Sequence, residues 1–366
     1  MVIKETVLEI NLSALKQNYH NLRSKLNPET RFLAVVKAFG YGSEAVCVAK
    51  TLEKCGVDYF AVAYISEGVS LRDAGIKTPI LVLHPQPVNF KLAIEHKLEP
   101  SLYSFRVLQD FMSVSMEQGI QNYPVHIKFN TGLNRLGFSL GDTKKLSSLL
   151  NNETVEVVSI FSHLAASDDL KEKAFTEKQI DRFQLISNKF LQLNSVNPIR
   201  HLCNTSGVLN HPKAEFDMVR CGIGLYGFDN KNTAISELVP VMALKSVISQ
   251  IHHIKKDESV GYNRAYTASK PSRIATLPLG HADGISRQYG NGCGFVTIQG
   301  QKASIVGNVC MDMIMVDVTD IVCQEGDEVI VFDSKATAED LANAAGTISY
   351  ELLTALSQRI KRVIVQ

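Results

Sequence analysis

Short apolar runs alternate with amphipathic stretches over the first two thirds of the chain. The runs have the length of buried strands, and the stretches between them repeat apolar residues at helical spacing. Ser13 is placed to cap the first such helix, in which Leu15 and Leu22 share one face. The predicted strands lie near residues 33–36, 58–63, 79–84, 99–103, 124–129, 155–162, 199–203 and 216–220. Eight strands that alternate with helices predict an α/β fold, a (β/α)8 barrel of the TIM type.

The pattern changes at about residue 237. From there the chain has short β-branched runs separated by Gly, Asp and Lys, which is typical of antiparallel strands, with one helical segment at residues 336–345. A chain of 366 residues also exceeds the size at which a single hydrophobic core keeps growing. We therefore predict two domains, a barrel over residues 1–236 and a mainly β domain over residues 237–366.

Composition and charge argue against several classes of function. The 38 basic and 37 acidic residues leave no excess of positive charge for binding nucleic acid or an anionic membrane. No apolar run is long enough to span a bilayer, and the first residues lack the apolar core of a signal peptide. The seven cysteines are scattered without a C-x-x-C pair, so neither a zinc knuckle nor a disulfide framework is indicated. We expect a cytoplasmic protein that acts on a small molecule without a metal.

Lys37 is the most informative single residue. The apolar run at residues 33–36 delivers it to the end of a predicted strand, directly before the glycine-bracketed Tyr41. In a (β/α)8 barrel the catalytic residues come from this end of the strands. Burial lowers the pKa of a lysine and makes its amine a Schiff-base former or proton carrier near neutral pH.

Polar and cationic residues follow several later strands, and each alone has a structural explanation. Those at the same end of the barrel as Lys37 are Lys128, Arg135, His163, Thr205, Ser206 and Arg220. The backbone N–H groups of Gly222 and Ile223, with the Thr205 hydroxyl, can bind a phosphate, as loops after the last two barrel strands commonly do. Residues 222–227 also match G-x-G-x-x-G, but they open no long helix and belong to no dinucleotide-binding unit. An amine and a phosphate site on one barrel rim suggest pyridoxal 5′-phosphate as cofactor.

Eight spaced motifs resemble those of the alanine racemase family, in order and over nearly the whole chain. They lie at residues 34–42, 126–138, 161–163, 201–206, 217–227, 261–263, 280–284 and 307–312. The resemblance implies a pyridoxal-phosphate-dependent isomerase that interconverts L-alanine and D-alanine and supplies D-alanine for bacterial peptidoglycan. It also implies a head-to-tail homodimer, in which the β domain of one subunit completes the active site of the other.

The resemblance implies how the reaction is catalysed. Lys37 would bind the cofactor as a Schiff base and act as one of two acid/base groups, and Tyr262 of the other subunit would be the second, because racemisation needs one such group on each face of the Cα–H bond. Arg220 would face the pyridine nitrogen. Because a guanidinium stays positively charged, it would keep this nitrogen unprotonated, which favours racemisation over decarboxylation or amino transfer. His163 would orient Arg220 and Tyr262, although a core histidine bonded to backbone explains this residue equally well.

The remaining residues would bind substrate and phosphate. Arg135 would bind the substrate carboxylate and the phenolic oxygen of the cofactor, and Lys128, when carbamylated, would hold Arg135. Met311 and Asp312 of the other subunit would lie near the same carboxylate. The phosphate would be bound by Tyr41, Thr205, Ser206, Gly222, Ile223 and Gln358, with Thr205 preferred over Ser206 as the hydroxyl.

Departures from the family pattern bear on the substrate. His281 replaces a tyrosine at the mouth of the site, and Gln358 replaces a phosphate-contacting tyrosine. The third departure is the segment from Asn130 to Asn134, in which the family usually has aspartate and methionine. The first two leave more room beside the side chain of the amino acid. Three alternatives stay open: a racemase for serine or basic amino acids, a decarboxylase on the same barrel, which Arg220 disfavours, and a non-catalytic barrel that only binds the cofactor.

Overall fold

The computed structural model describes residues 5–151, 153–194, 196–229 and 237–365. Within these ranges the chain forms a closed barrel of eight parallel strands and a separate nine-stranded sheet, so the predicted fold class is confirmed. The first strand, β1 (Val7–Asn11), precedes the barrel. The barrel strands are β2 (Arg31–Val35), β3 (Tyr59–Val62), β4 (Ile80–Val82), β5 (Glu99–Leu102), β6 (Tyr123–Lys128), β7 (Val155–Phe161), β8 (Ile199–His201) and β9 (Met218–Cys221).

Helices follow the strands along the chain. They are α1 (Leu12–Arg23), α2 (Lys37–Tyr41), α3 (Ala45–Cys55), α4 (Ile65–Asp73), α5 (Phe90–Glu95), α6 (Phe105–Glu117), α7 (Thr143–Leu150), α8 (Lys173–Leu193) and α9 (Thr205–Asn210). The predicted cap of α1 is wrong by two residues: the Asn11 side chain, not that of Ser13, accepts from the Ala14 N–H. Ser13 lies inside the first turn because β1 leads into the helix without a loop. No helix in the described ranges has the length and apolar character of a membrane span.

The barrel strands are apolar because both of their faces are covered. Phe32, Leu33 and Ala34 on β2, and Phe60 and Ala61 on β3, are fully buried. Parallel strands packed on both sides appear in a sequence as continuous apolar runs, which is why the pattern located them. Strand β2 pairs with β9 as well as with β3, and this pairing closes the barrel.

The second sheet is mostly antiparallel. Its strands after the barrel are β10 (Met242–Val247), β11 (Gln250–Ile254), β14 (Ser272–Leu277), β15 (Phe295–Ile298), β16 (Gln301–Val306), β17 (Ile314–Asp317), β18 (Glu328–Phe332) and β19 (Lys361–Val365), and a two-stranded ribbon is formed by β12 (Ser259–Val260) and β13 (Tyr266–Thr267). The sheet order is β11-β14-β17-β16-β15-β18-β10-β1-β19.

The first strand corrects the predicted division into domains. The sequence assigns residues 1–236 to the barrel, but β1 pairs antiparallel with β10 and parallel with β19 in the second sheet. Periodicity along a strand identifies the strand and the face it buries, but not its distant partner. The assignment is therefore wrong for Val7–Asn11, and the predicted boundary at residue 236 lies outside the described residues.

Two helices, rather than the one predicted at residues 336–345, lie between β18 and β19. They are α10 (Ala338–Ala344) and α11 (Ser349–Ala355). Helix α11 packs against α2 at the mouth of the barrel. Gly42 makes the contact possible, because its φ is +84° and a side chain there would overlap the Leu353 carbonyl. The second domain thus reaches the rim that carries Lys37.

Candidate active site

Lys37 lies directly after β2, at the end of the barrel where the sequence places it. The chain turns sharply there, since Ala38, Phe39 and Gly40 have φ values of 52°, 55° and 64°. A left-handed conformation costs about 1–2 kcal/mol for each non-glycine residue, so other contacts must hold the turn. Glu67 provides one of them, because its Oε1 accepts from the Ala38 N–H at 2.6 Å.

A cavity of about 560 Å³ opens at this end of the barrel, which we call the Lys37 cavity. The predicted site residues that line it are Lys37, Tyr41, Lys128, Arg135, His163, Thr205, Arg220, Gly222 and Ile223. Its volume is usual for a site that binds a cofactor or small ligand. Among the described residues that line it, four carry a cationic side chain and none carries a carboxylate. The cavity therefore favours anionic ligands.

Burial, followed by the charge of neighbouring cations, lowers the pKa of both lysines in the cavity. Burial is the main cause at Lys37, Arg135 adds to it, and Glu67 acts in the opposite direction. At Lys128, burial and the neighbouring cations, Arg135 first among them, lower the pKa to about 8. A fraction of the Lys128 side chains is then a neutral amine near physiological pH, and the neutral amine is the nucleophilic form.

Arg220 is buried and held by several acceptors. Its Nη2 donates to the carbonyls of Ser162 at 2.6 Å and Leu202 at 3.0 Å. Its Nη1 lies 2.9 Å from His201 Nδ1, and Nη2 lies 3.2 Å from His163 Nδ1. Burial lowers the pKa of Arg220 to about 10, so the guanidinium remains charged at neutral pH. The cavity thus holds a fixed, fully charged donor.

His163 lines the cavity as a neutral imidazole. Burial, followed by the charges of Arg220 and Arg135, holds its pKa well below the usual range. A guanidinium can only donate, so His163 Nδ1 accepts from Arg220 and the ring hydrogen lies on Nε2. The predicted proximity of His163 and Arg220 is present in the structure.

Tyr41, Thr205 and the loop after β9 form one wall of the cavity. Thr205 Oγ1 accepts from the N–H groups of Gly222 at 3.2 Å and Gly224 at 3.3 Å. Position 222 requires glycine, because a side chain there would overlap the Tyr41 hydroxyl. Ile223 opens a 3₁₀ turn, so its N–H has no acceptor within that turn. Hydroxyl and N–H donors of this kind are those that phosphate-binding loops use.

Tyr41 is held between two aromatic rings. It stacks on Tyr226 with ring centroids 4.6 Å apart and lies 5.9 Å from the ring of Tyr350. Burial raises its pKa far above the usual range, so the hydroxyl stays protonated and can donate. Tyr350 also lines the cavity, although the sequence did not suggest it. Its position depends on the packing of α11 against α2, which no local pattern reveals.

Two predicted phosphate ligands do not line the Lys37 cavity. Gln358 lies against a smaller hollow, together with Val36. Its prediction rests on alignment with a tyrosine, but α11 brings Tyr350 to the cavity and the chain then carries Gln358 past it. Ser206 is buried in α9, and its neighbour Thr205 lines the cavity instead.

Tyr262, Met311 and Asp312 lie together on the second domain. They line a separate, more open hollow of about 760 Å³, which we call the Tyr262 hollow. Tyr262 is 69% exposed and Met311 is 60% exposed. Asn308 Nδ2 donates to the Tyr262 carbonyl at 3.0 Å and joins the two loops of the hollow. Within one chain, these three residues and Lys37 share no cavity.

Arg359 fixes the Asp312 side chain and was missed by the sequence analysis. Its Nη2 donates to Asp312 Oδ1 at 2.7 Å, and Nε and Nη2 donate to the two Asp283 oxygens at 2.7 and 2.8 Å. Asp283 also accepts from the Gly280 N–H, within the turn that carries His281. In the sequence, the only signal for Arg359 is that it directly follows Gln358, a predicted phosphate ligand.

The fold and the cavity together define a class of protein. A desolvated lysine, a buried arginine and a loop of phosphate-binding type surround one cavity at the carboxyl ends of barrel strands, as in a cofactor-dependent barrel enzyme.

Comparison with known proteins identifies the family. Residues 10–230 match the family model "Alanine racemase, N-terminal domain", and residues 241–364 match "Alanine racemase, C-terminal domain". The alanine racemase of Clostridium perfringens is 36% identical over 367 residues, which cover 97% of this chain and 94% of that protein. The chain belongs to the alanine racemase family, as its motifs predict, and its members are isomerases.

Solved structures of this family have the same fold. The alanine racemase of Clostridium difficile 630 matches with a TM-score of 0.92 at 35% identity, over 100% of this chain and 97% of that one. The alanine racemase of Bartonella henselae, with covalently bound pyridoxal phosphate, matches with a TM-score of 0.90 at 29% identity, over 99% of each chain.

Proposed function

We propose that the chain interconverts L-alanine and D-alanine with pyridoxal 5′-phosphate bound in the Lys37 cavity. The observation that carries the proposal is the presence of Lys37, with its lowered pKa, and buried Arg220 in one cavity whose described lining carries no carboxylate. Family membership supports the same substrate and cofactor. The supply of D-alanine for peptidoglycan in the cytoplasm is proposed from family membership alone.

The residues of the cavity fit each polar group of the cofactor. The Lys37 amine can bind its aldehyde carbon, and Arg220 can face its ring nitrogen. The hydroxyls of Tyr41 and Thr205 and the N–H group of Ile223 can bind its phosphate, whereas the Gly222 N–H donates to Thr205 Oγ1. Once bound, pyridoxal phosphate supplies an electron sink that acidifies the Cα–H bond of an amino acid.

Arg220 limits the strength of that sink. A guanidinium donates hydrogen bonds and keeps its charge, so a ring nitrogen that faces it stays unprotonated. His201 and two carbonyls hold the guanidinium in place. Arg220 would thereby favour return of the proton to Cα, which is racemisation, over decarboxylation or amino transfer.

Racemisation requires a proton-transfer group on each face of Cα. Lys37 Nζ would serve one face, because the amine lines the cavity and burial lowers its pKa, which favours release of a proton. We propose that Tyr262 Oη of a second copy of the chain serves the other face, since Tyr262 is exposed and shares no cavity with Lys37 in its own chain. Met311 and Asp312 would enter with it, so the active unit is a head-to-tail homodimer.

Arg135 is proposed to bind the substrate carboxylate. It follows a loop that Asn130 organises, because Asn130 Oδ1 accepts from the N–H groups of Gly132 and Asn134 at 3.0 Å each. Burial and the charge of Arg135 lower the pKa of Lys128, and carbamylation of its neutral amine would produce an anion able to hold Arg135. A mass increase at Lys128 in a peptide map under bicarbonate would test this step.

Incubation of the purified protein and cofactor with single L-amino acids tests the function. Loss of optical rotation should be fastest with alanine and slower with serine and lysine. Equal rates would identify a racemase of broad specificity, and release of carbon dioxide would identify a decarboxylase. Constant rotation of alanine in protein that binds the cofactor would refute the proposal.

A further inference from the structure

A row of hydrogen bonds runs from Arg220 through the barrel interior to Glu99. His201 Nδ1 lies 2.9 Å from Arg220 Nη1, and His201 Nε2 lies 2.8 Å from Ser159 Oγ. Ser159 Oγ lies 2.5 Å from His126 Nδ1. His126 Nε2 lies 2.8 Å from Glu99 Oε2. We call this row the Glu99 relay.

The relay takes one residue from each of five neighbouring barrel strands, β5 to β9. His126 and Ser159 are direct partners in the register of β6 and β7. Ser159, His126 and His201 are fully buried, and the Glu99 side chain is 12% exposed. The interior of such a barrel is ordinarily filled by branched apolar side chains, so a continuous polar row through it requires a reason.

The two ends of the relay, together with a neutral His126, fix the direction of each hydrogen bond. A guanidinium only donates, so His201 Nδ1 accepts from Arg220 and the His201 hydrogen lies on Nε2. Ser159 accepts that hydrogen and donates its own to His126 Nδ1. His126 then donates from Nε2 to the Glu99 carboxylate, which only accepts. Every hydrogen of the relay has an acceptor, and no two donors face each other.

Aromatic rings hold both imidazoles in this orientation. Phe161 stacks on His201, with centroids 4.8 Å apart and an interplanar angle of 13°. Tyr59 packs edge-on against His126 at 5.9 Å. Burial, and then the Arg220 charge, hold the pKa of His201 well below the usual range, which agrees with a neutral ring. A His201 that presented an N–H to Arg220 would leave two buried donors facing each other.

We propose that Ser159, His126 and Glu99 are positioning residues that keep His201 in its neutral Nε2–H form, so that His201 Nδ1 always accepts from Arg220. The relay thereby fixes the guanidinium at the angle from which it faces the cavity. The orientation of the relay is independent of the reaction, whereas its effect on turnover rests on the function proposed above.

Nitrogen NMR of the holoenzyme with isotope-labelled histidine tests the orientation directly. His126 and His201 should both appear as neutral Nε2–H tautomers, with Nε2 hydrogens that exchange slowly with solvent. An imidazolium at His126, or a hydrogen on Nδ1 of His201, would overturn the proposal. This result is read without any turnover, so it separates failure of the relay from failure of the proposed function.

Ser159→Ala removes the middle of the relay, and Ser159→Thr keeps a hydroxyl there. Ser159→Ala should shift the His201 Nε2 resonance and lower kcat about fivefold, with little change in KM, since the buried hydrogen bonds to His201 and His126 are both lost. Ser159→Thr should restore both. An unchanged His201 resonance in Ser159→Ala would refute the proposal.

A second pair of variants changes Glu99, at the other end of the relay. These variants avoid the extra methyl group that Ser159→Thr adds at a buried position. Glu99→Gln keeps an acceptor oxygen and should leave both tautomers unchanged. Glu99→Ala should let His126 populate another form and should shift the His201 resonance as well. A His201 resonance that does not respond to Glu99→Ala would show that the row of contacts does not act as a relay.

Discussion

The Lys37 cavity and the Tyr262 hollow differ in charge and in burial. Four cationic side chains and no carboxylate line the described part of the cavity, and its Arg220 is buried among fixed acceptors. The hollow is more open to solvent, and its Tyr262 and Met311 are mostly exposed. Desolvated charges need a rigid surrounding that one domain can build. A hydroxyl that acts at another site must instead be presented on the surface.

The same contrast explains which feature of each region is energetically unfavourable in a single chain. In the Lys37 cavity, burial and then neighbouring cations disfavour the charged forms of Lys37 and Lys128 and lower their pKa values, and a bound anion would offset this penalty. At the Tyr262 hollow the exposed apolar surface is what remains unfavourable, and a second copy of the chain would cover it. The cavity thus lacks an anionic ligand, and the hollow lacks a partner surface.

Among the variants considered, replacement of Lys37 should cause the largest loss of activity. Lys37→Ala removes the Schiff-base amine and one proton-transfer group, so kcat should fall about 10³-fold or more. Lys91→Ala is a matched control, because Lys91 is on the outer surface with 67% of its side chain exposed. Borohydride reduction should attach pyridoxyl to Lys37 in the wild type. A label on another lysine would contradict the assignment.

Tyr262→Phe should remove the proton-transfer group of the second region only. The value of kcat/KM should fall about 10²-fold in both directions. The two enantiomers have equal free energy, so the equilibrium constant is one and kcat/KM must be the same in each direction. In deuterated water the variant should still exchange the Cα hydrogen of the enantiomer that faces Lys37. Folding should be unaffected, since the Tyr262 hydroxyl is on an exposed side chain. Equal loss of exchange from both enantiomers would refute a one-face role.

Lys128→Met should stabilise the cofactor-free protein. The Lys128 pKa is about 8 in the folded chain and about 10.4 in an unfolded one, so between these values the unfolded state binds more protons and stability rises with pH. The penalty of the buried charge is therefore present below pH 8 and fades toward pH 10. Removing the charge should add on the order of 2 kcal/mol to the free energy of unfolding at pH 7.

Urea unfolding at pH 7 and pH 10 measures this effect. The gain from Lys128→Met should nearly vanish at the higher pH, and Lys91→Met should show no such difference. A gain of the same size at both pH values would mean that the added apolar volume, not the removed charge, is responsible.

His281→Tyr should have the smallest effect. His281 is exposed in the turn whose Ala282 N–H donates to the Met311 carbonyl at 3.0 Å, beside the Tyr262 hollow. A tyrosine there would narrow the approach to the site and should raise the preference for alanine over serine and lysine by a few-fold, less than about tenfold. His253→Tyr on exposed β11 is the control. If the relative rates with alanine, serine and lysine do not change, His281 replaces the family's tyrosine without affecting substrate preference.

The sequence predicted what depends on local pattern. The barrel strands are apolar on both faces and therefore stand out, and Lys37 stands out because it ends one of them. The partner of β1, by contrast, is set by strands more than two hundred residues away. Tyr350 reaches the cavity only because α11 packs on α2, so the alignment pointed to Gln358 instead.

The Glu99 relay shows the same limit inside the barrel. His126 and His201 lie in motifs that the sequence analysis recognised, but their link through Ser159 exists only when three strands are side by side. Arg359 is similar, since the two aspartates that it joins are far from it along the chain. Side chains that act through distant contacts leave no periodic signal in a sequence.

Mixing two inactive variants tests most directly whether the Lys37 cavity and the Tyr262 hollow act together across a dimer. In a hybrid of Lys37→Ala and Tyr262→Phe chains, one site receives both altered residues and the other receives both wild-type residues. Random exchange of equal amounts should therefore restore about a quarter of the wild-type activity. Failure to recover activity, in a mixture whose subunit exchange is proven by mass spectrometry, would contradict the shared site.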